Sequence, residues 1–353
     1  MGSVDNRELD GHELIVSEAD PETGLRAIIA IHSTTLGPAA GGCRMWPYAK
    51  TEDAAHDVLR LSRGMTYKNA ISGLPFGGGK AVIIGDPGSD KTPQLFEEFG
   101  RIVDSLDGRY VTAEDVGTSI ADMESVARTT RYVAGLGRAP GEAGGDPGPK
   151  TALGVFLGIE AAAHFRLGRT DLDGLRVAIQ GLGSVGHRLA GMLAAAGARL
   201  KVADVREAAV ERACDELGAT AVPIGEVLAA DVDVLAPCAL GAVLDAQSVP
   251  RLRARIVAGA ANNQLAEAKD GQALLAAGIL YAPDYVINAG GIISVSREYH
   301  GGSEAQVLDD IGQIPERLTK IFERAQRENR ATNAVADEMA RERLAAHRQK
   351  MVA

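Results

Sequence analysis

The sequence predicts an α/β protein of two domains, the second built on a doubly wound parallel sheet. Three observations carry this expectation. At 353 residues the chain exceeds the length at which a single hydrophobic core usually stops growing. Short apolar runs alternate with amphipathic stretches through both halves. Between the halves, residues 135–149 read GLGRAPGEAGGDPGP, with six Gly and three Pro. No helix or central strand continues through such a segment, which therefore marks a boundary; connections this long are often functional.

In the first half, 25–32 (LRAIIAIH) reads as a buried strand. Residues 52–63 place Ala55, Val58, Leu59 and Ser62 on one side of a helix. Strand 81–85, helix 93–106, strand 110–112 and a helix from about Ser119 complete a first domain expected over 1–145. A helix is expected from Thr151 to about Phe165. Strand 176–180, helix 185–196 and strand 199–203 follow, with further strands at 232–236, 256–260 and 279–282. This βα alternation fits a doubly wound sheet spanning 146–329. Val307, Ile311, Ile314, Leu318, Ile321 and Ala325 keep a helical stripe that Pro315 is expected to kink. A last helix over about 333–349, capped by Thr332 or Asn333, is expected to pack back on the first domain.

Composition removes several functional classes. Thirty-seven Lys and Arg against 47 Asp and Glu leave a net charge of -10 without a dense basic cluster, so no nucleic-acid partner is expected. No apolar run is long enough for a bilayer, and residues 1–6 (MGSVDN) match neither a signal peptide nor a myristoylation site. Cys43, Cys214 and Cys238 are too scattered for a disulfide framework or zinc site. The seven histidines lack metal-ligand spacing. The expectation is a cytoplasmic protein without a bound metal.

Residues 181–186 are Gly181-Leu182-Gly183-Ser184-Val185-Gly186, a GxGxxG motif directly after a strand and opening a helix. Asp204 closes the next strand. Gly181 permits the tight turn, Gly183 lets a pyrophosphate approach the backbone, and Gly186 packs helix against strand. The helix N-terminus offers N–H groups to phosphate. Asp204 would accept ribose hydroxyls and repel a 2′-phosphate, favouring NAD over NADP, with Arg206 working against that preference. The second domain is thus expected to be a Rossmann NAD-binding domain.

Two lysines stand out in the first domain. Lys68 follows Met65-Thr66-Tyr67, and Lys80 follows Gly77-Gly78-Gly79. The triplet is not a phosphate loop, because Leu74 and Ala81 occupy positions that need Gly and Ser or Thr. It suggests backbone that passes close to a ligand or bends sharply, with Lys80 where a strand begins. Asp115 is expected to end another strand, beyond which ligands bind in open α/β sheets. Two lysines and a carboxylate suit acid–base chemistry on an anionic substrate. One lysine would pair with the carboxylate; the other, desolvated beside that cation, would have a lowered pKa and act as a base. The same three residues also read as surface charges in loops, and spacing alone does not choose.

The segments GPAAGGCRMWPY (37–48), LSRGMTYKNA (61–70), LPFGGGKAVIIGDP (74–87), TAEDVGT (112–118), GLGSVG (181–186), APCALGA (236–242), GAANNQL (259–265) and YAPDYVINAGG (281–291) together resemble the glutamate/leucine/phenylalanine/valine dehydrogenases. The resemblance runs nearly end to end. It implies reversible oxidative deamination of an L-amino acid to a 2-oxo acid and ammonia, in a cleft between a substrate domain and the NAD-binding domain of a homo-oligomer. Lys68 would bind the substrate carboxylate with backbone near Gly41 and Gly42. Lys80 would be the base that activates water, and Asp115 would relay protons to and from the amine. Asn262 would orient substrate and nicotinamide, Thr151 would contact the nicotinamide amide, and Val205, Cys238, Ala239 and Ala260 would lie along the cofactor. For Cys238 a small buried hydrophobe is nevertheless the better reading from the residue alone. Two departures from the family pattern are Ala242, where a second Gly is usual, and Pro315.

In the glutamate members a lysine at the position of Ala40 holds the side-chain carboxylate. Here Ala40 and Val295 would leave that charge buried and unpaired, at a cost of several kcal/mol. Ala113, Ile292 and Val295 suit leucine, isoleucine or valine, the favoured reading. The small Ala40 leaves room for a ring, and Cys43 occurs in some phenylalanine enzymes, so an aromatic substrate is the alternative. A non-catalytic NAD-binding regulator is opposed by Lys68, Lys80, Asp115 and Asn262 occurring together. A 2-hydroxy acid dehydrogenase is opposed by the lack of a histidine in a matching motif.

Overall fold

The computed structural model describes residues 11–352 except 138 and 240; the segment 1–6 considered above lies outside them. The chain divides into two compact units. One comprises Met1–Asp146, Ile292–Val307 and Ala340–Ala353; the other comprises Pro147–Gly291 and Leu308–Met339. The segment 292–307, expected in the second domain, thus joins the first. The reason is packing: Val295 and Tyr299 lie on Ala40, Phe76 and Val111. The last helix returns to the first unit only from Ala340, where Ala340 and Leu344 pack on Ala70.

In the first unit, β1 (Leu14–Asp20) and β2 (Leu25–Ser33) form an antiparallel pair, and β2 pairs antiparallel with β5 (Gly77–Ile84). The short strands β3 (Ala39–Ala40) and β4 (Cys43–Trp46) run in succession parallel to β5. Strand β6 (Tyr110–Val111) runs parallel to β3. Strand β2 is apolar from Ala27 to Ile31 because both its faces are covered there. Ala27, Ile29 and Ile31 share a core with Phe96, Phe99 and Val103 of α2 (Pro93–Ser105), and Met123 and Val126 of α3 (Ile120–Val126) belong to it too. Ile28 and Ala30 pack against Ala54 and Val58 of α1 (Thr51–Ile71).

Helix α1 is longer than expected, and its last turn carries Lys68. Strand β5 also starts earlier, so Lys80 sits inside the strand rather than at its start. The glycine triplet does not bend sharply, since it lies within β5. A Cβ on Gly78 would lie 2.1 Å from the Thr66 nitrogen of α1, and one on Gly77 would lie 1.9 Å from the Ser33 oxygen. The glycines let helix and neighbouring strand come to backbone contact.

The second unit holds a six-stranded parallel sheet: β7 (Arg176–Gln180), β8 (Arg199–Ala203), β9 (Thr220–Ala221), β10 (Val234–Pro237), β11 (Ile256–Val257) and β12 (Leu280–Tyr281). Across the sheet the order is β9-β8-β7-β10-β11-β12, so the order reverses between β7 and β10. That is the Rossmann arrangement, with its ligand crevice beyond the strand ends at the reversal. Its helices are α4 (Gly148–Leu167), α5 (Ser184–Ala195), α6 (Glu207–Leu217), α7 (Asp270–Ala276) and α8 (Asp284–Ile287). The chain ends in α9 (Gly290–Tyr299), α10 (Glu304–Ile311), α11 (Ile314–Glu328) and α12 (Thr332–Val352). Pro315 does not kink one long helix. It sits in the first turn of the separate helix α11, where a missing N–H costs little. Thr332 donates its hydroxyl to the Tyr281 oxygen at the end of β12 and Asn333 its amide to Ala268, so both side chains bind neighbouring segments. Among the described residues no helix is long and apolar enough to cross a membrane, and no cluster of His, Cys, Asp or Glu could hold a metal.

Candidate active site

In the first unit, Lys80 is 5% exposed and its Nζ lies 2.8 Å from Asp115 Oδ2. Asp115 does not end β6; it stands four residues beyond, in a turn closed by Thr118. The Asp115 N–H donates to Thr118 Oγ1, which donates to the Cys43 oxygen. A Cβ on Gly42 would lie 2.9 Å from the Asp115 Cβ, so only glycine lets this turn settle against the junction of β3 and β4. Arg44 of β4 donates from Nε to the same Asp115 oxygen at 3.2 Å. Its Nη1 donates to Asp57 Oδ2 of α1 at 2.8 Å, and Tyr48 OH donates to that Asp57 oxygen at 2.6 Å.

Burial alone would push the Asp115 carboxyl up. The Lys80 ammonium, the Arg44 guanidinium and the Val116 N–H outweigh it and hold Asp115 at about 2. Asp115 is therefore a carboxylate at neutral pH, in hydrogen-bond contact with an ammonium that can give it a proton.

Lys68 lies at the end of α1. Asn69, beside it, donates to the Gly77 oxygen at 2.5 Å and to the Ala40 oxygen at 3.4 Å, tying that end to β5 and β3. Gly41 donates to Val111 and accepts from Tyr110 OH at 2.6 Å. The backbone of Lys68, the Gly41–Gly42 junction and the Lys80–Asp115 pair thus share one end of the sheet. Ala40 is fully buried in an apolar cluster with Phe76 and Val111, against which Val295 and Tyr299 pack. Ala113 is buried beside Gly135, and Ile292 precedes Val295 by three residues on α9. On the same helix the buried Glu298 accepts from the Gly135 and Leu136 N–H groups at 2.8 and 2.9 Å.

In the second unit the glycine turn lies at the sheet reversal. Gly181 has φ +98°, and a Cβ there would meet Ala239 at 2.8 Å; one on Gly186 would meet the Gly181 oxygen at 2.0 Å. These two glycines serve the protein's own packing. A Cβ on Gly183 meets no protein atom within 4 Å, so packing does not require glycine there. Ser184 and Val185 open α5, and Arg188 donates back to Ser184 Oγ at 2.7 Å. Cys238 follows β10 against Gly186, and burial pushes its thiol up to about 12.

Asp204 Oδ2 accepts from the Leu182 N–H at 2.6 Å, and Oδ1 accepts from the Arg206 N–H at 2.8 Å. Burial opposes ionisation, but these donors and the Arg206 guanidinium keep the carboxyl below its ordinary value. Val205 beside it is 87% exposed. The Asn288 amide donates to the Ala260 oxygen and to Asn262 Oδ1, fixing the Asn262 side chain. Thr151, in the first turn of α4, faces the start of α9, where a Cβ on Gly291 would lie 3.1 Å from its Oγ1.

Each unit therefore gathers its own expected residues. Ala113 and Ile292 are not members of the cluster around Ala40. Sequence reasoning missed Arg44, Asp57, Asn288, Arg188 and Glu298. Arg44 had one visible signal, a charge between the apolar residues Cys43 and Met45 of a strand.

A sequence profile described as "Glu/Leu/Phe/Val dehydrogenase, dimerisation domain" matches residues 12–132. A second, "Glutamate/Leucine/Phenylalanine/Valine dehydrogenase", matches 200–352. A leucine dehydrogenase from Geobacillus stearothermophilus is 48% identical over 333 residues, covering 94% of this chain and 90% of its own length. A phenylalanine dehydrogenase from Bacillus thermotolerans is 43% identical over 344 residues, covering 96% and 90%. The crystal structure of L-tryptophan dehydrogenase from Nostoc punctiforme matches with a TM-score of 0.83 at 44% identity, over 97% of this chain and 98% of that one. With both profiles matched in order and identity sustained over nearly the whole length, this chain belongs to the glutamate/leucine/phenylalanine/valine dehydrogenase family and is an amino acid dehydrogenase.

Proposed function

We propose that the protein catalyses NAD-dependent, reversible oxidative deamination of an apolar L-amino acid to its 2-oxo acid and ammonia, with leucine, valine and isoleucine favoured. The observation that carries this reading is the pair of buried Lys80 and partly buried Asp115, a proton donor and acceptor at 2.8 Å held by a strand and a turn. The glycine turn fits the cofactor: Gly183 leaves the backbone open, the N-terminus of α5 favours phosphate, and the ionised Asp204 disfavours a 2′-phosphate. Bound NAD supplies the acceptor for hydride from the substrate Cα. Thr151 and Asn262 would orient it, with Val205, Cys238, Ala239 and Ala260 along its length.

Lys68, with backbone at Gly41 and Gly42, holds the substrate carboxylate. Oxidation leaves an iminium at the substrate, and neutral Lys80 takes a proton from the water that adds to its carbon. Asp115 then passes the proton that Lys80 took up to the departing nitrogen, and Lys80, neutral again, takes the carbinolamine hydroxyl proton as the C–N bond breaks, giving the oxo acid and ammonia. Bulk water is excluded during the hydride transfer that precedes this addition.

The wall formed by Ala40, Phe76, Val111 and Val295 offers no cation to a side-chain carboxylate, which argues against glutamate. The leucine dehydrogenase relative supports branched-chain substrates. A second reading, an aromatic substrate, is favoured by the small Ala40 facing the Phe76 and Tyr299 rings, and by the phenylalanine and tryptophan dehydrogenase relatives. A homo-oligomer is supported by the dimerisation-domain match and by Trp46 and Val116, large apolar side chains 48% and 49% exposed.

A panel of L-amino acids assayed with NAD and with NADP tests the reading. NADH should form fastest with leucine, valine or isoleucine. No reduction with any amino acid, despite NAD binding, would leave only the non-catalytic regulator.

A further inference from the structure

We propose that Arg44 is a positioning residue for the deamination reaction: anchored by Asp57, it fixes Asp115 beside Lys80 and keeps it anionic while Lys80 is deprotonated. The proposal rests on the reading of Lys80 as base and Asp115 as proton relay. Both cations approach one oxygen, Asp115 Oδ2, at 2.8 Å from Lys80 and 3.2 Å from Arg44. A base must spend part of the cycle neutral. In that interval a carboxylate only 17% exposed, with Lys80 as its sole cation, would take up the proton Lys80 had lost. The pair would then hold one shared proton and could not act as separate base and acid.

A guanidinium resolves this because it stays charged throughout. Burial works against the charge on Arg44, but Asp115 and Asp57 outweigh it and strengthen it. The side chain leaves β4 between Cys43 and Met45, both fully buried. Its Nε reaches Asp115 and its Nη1 reaches Asp57, a two-pronged span that a single ammonium cannot reproduce. Asp57 is held in turn by Tyr48 OH at 2.6 Å and by Arg60 at 3.6 Å. Other titratable groups facing Asp115 are the Cys43 thiol of β4, Tyr110 of β6 and the adjacent Glu114. Burial raises all three, so they add no positive charge.

The test is the pH dependence of kcat and KM in the NAD-dependent reaction for the wild type, Asp115→Asn, Arg44→Gln and Arg44→Lys. Losing the Arg44 charge raises the pKa of Asp115, which must be ionised. The acid limb of kcat in Arg44→Gln should therefore move up by about one pH unit with little change in KM. Arg44→Lys keeps the charge and should restore the limb. It loses the span between carboxylates, so kcat should fall roughly tenfold. Arg44→Met replaces Arg44→Gln if the latter does not fold. An unmoved limb in the neutral variant, or wild-type kcat in Arg44→Lys, overturns the role of Arg44 while Asp115→Asn stays inactive. Near wild-type kcat in Asp115→Asn instead overturns the role of Asp115, and this proposal with it.

Discussion

Asp115→Asn removes the anion that Lys80 and Arg44 share while preserving side-chain shape. In the folded chain the carboxyl titrates at about 2, against an ordinary 3.8. At roughly 1.4 kcal/mol per pH unit, that interval corresponds to about 2.5 kcal/mol of folding free energy. Breaking a buried pair also strands the remaining cations, and such losses reach about 3–5 kcal/mol. A carboxyl depressed on folding stabilises above pH 3.8, and its contribution disappears as pH falls through about 2. The variant should therefore be less stable by about 2.5 kcal/mol or more at pH 7, and the gap should shrink to about half by pH 3.

The single tryptophan makes this measurable in the right unit. Trp46 lies on β4, two residues from Arg44, so its fluorescence during urea unfolding follows the first unit. With a slope of about 2 kcal/mol per molar urea, the midpoint at pH 7 should fall by about 1 M. A gap of equal size at pH 7 and pH 3 would refute the electrostatic account, as would a loss below about 1 kcal/mol at pH 7.

Other outcomes follow from single positions. Lys80→Ala should abolish turnover while NADH binding, followed by fluorescence titration, stays within about twofold; substantial residual turnover would contradict its role as base. Asp204→Ser should narrow the preference for NAD over NADP by roughly tenfold or more, since it removes the charge facing a 2′-phosphate and frees Arg206. An unchanged ratio of kcat/KM values would move cofactor discrimination elsewhere. Ala242 has φ +57°, where an L side chain costs about 1–2 kcal/mol. Ala242→Gly should relieve that strain, less about 0.4–1 kcal/mol of chain entropy, for a net gain of roughly 0.5–1 kcal/mol. A lowered melting temperature by circular dichroism would show that the strain is not there.

The parts legible in the sequence were those where apolar pattern and burial coincide. Strands β2, β7 and β8 are apolar runs with defined ends, and GLGSVG with Asp204 marks the turn after β7. The second half of α1 escapes an apolar pattern because its buried side is mostly polar: Ser62, Thr66 and Asn69 occupy the positions that apolar periodicity seeks. The start of β5 is hidden because three glycines resemble a loop unless the neighbours that exclude a Cβ are known. Lys80 and Asp115 could be singled out but not joined, and Arg44 and Asp57 were invisible as partners. Ion pairs between residues 13 or 71 positions apart leave no periodic trace.

On the proposed reading of Val295 as a wall of the substrate pocket, Glu298 has a consequence for how substrate range can change. Its carboxylate binds Gly135 and Leu136 from the helix that presents Val295 to Ala40 and Phe76, three residues earlier on a neighbouring position of the same face. Moving α9 outward to admit a larger side chain would stretch both charged hydrogen bonds, each worth about 1.5–3 kcal/mol. The helix is therefore a fixed wall, and new space at Val295 has to be made by cutting back atoms on either side of it. Selection for a bulkier substrate should accumulate as smaller residues lining an unmoved frame.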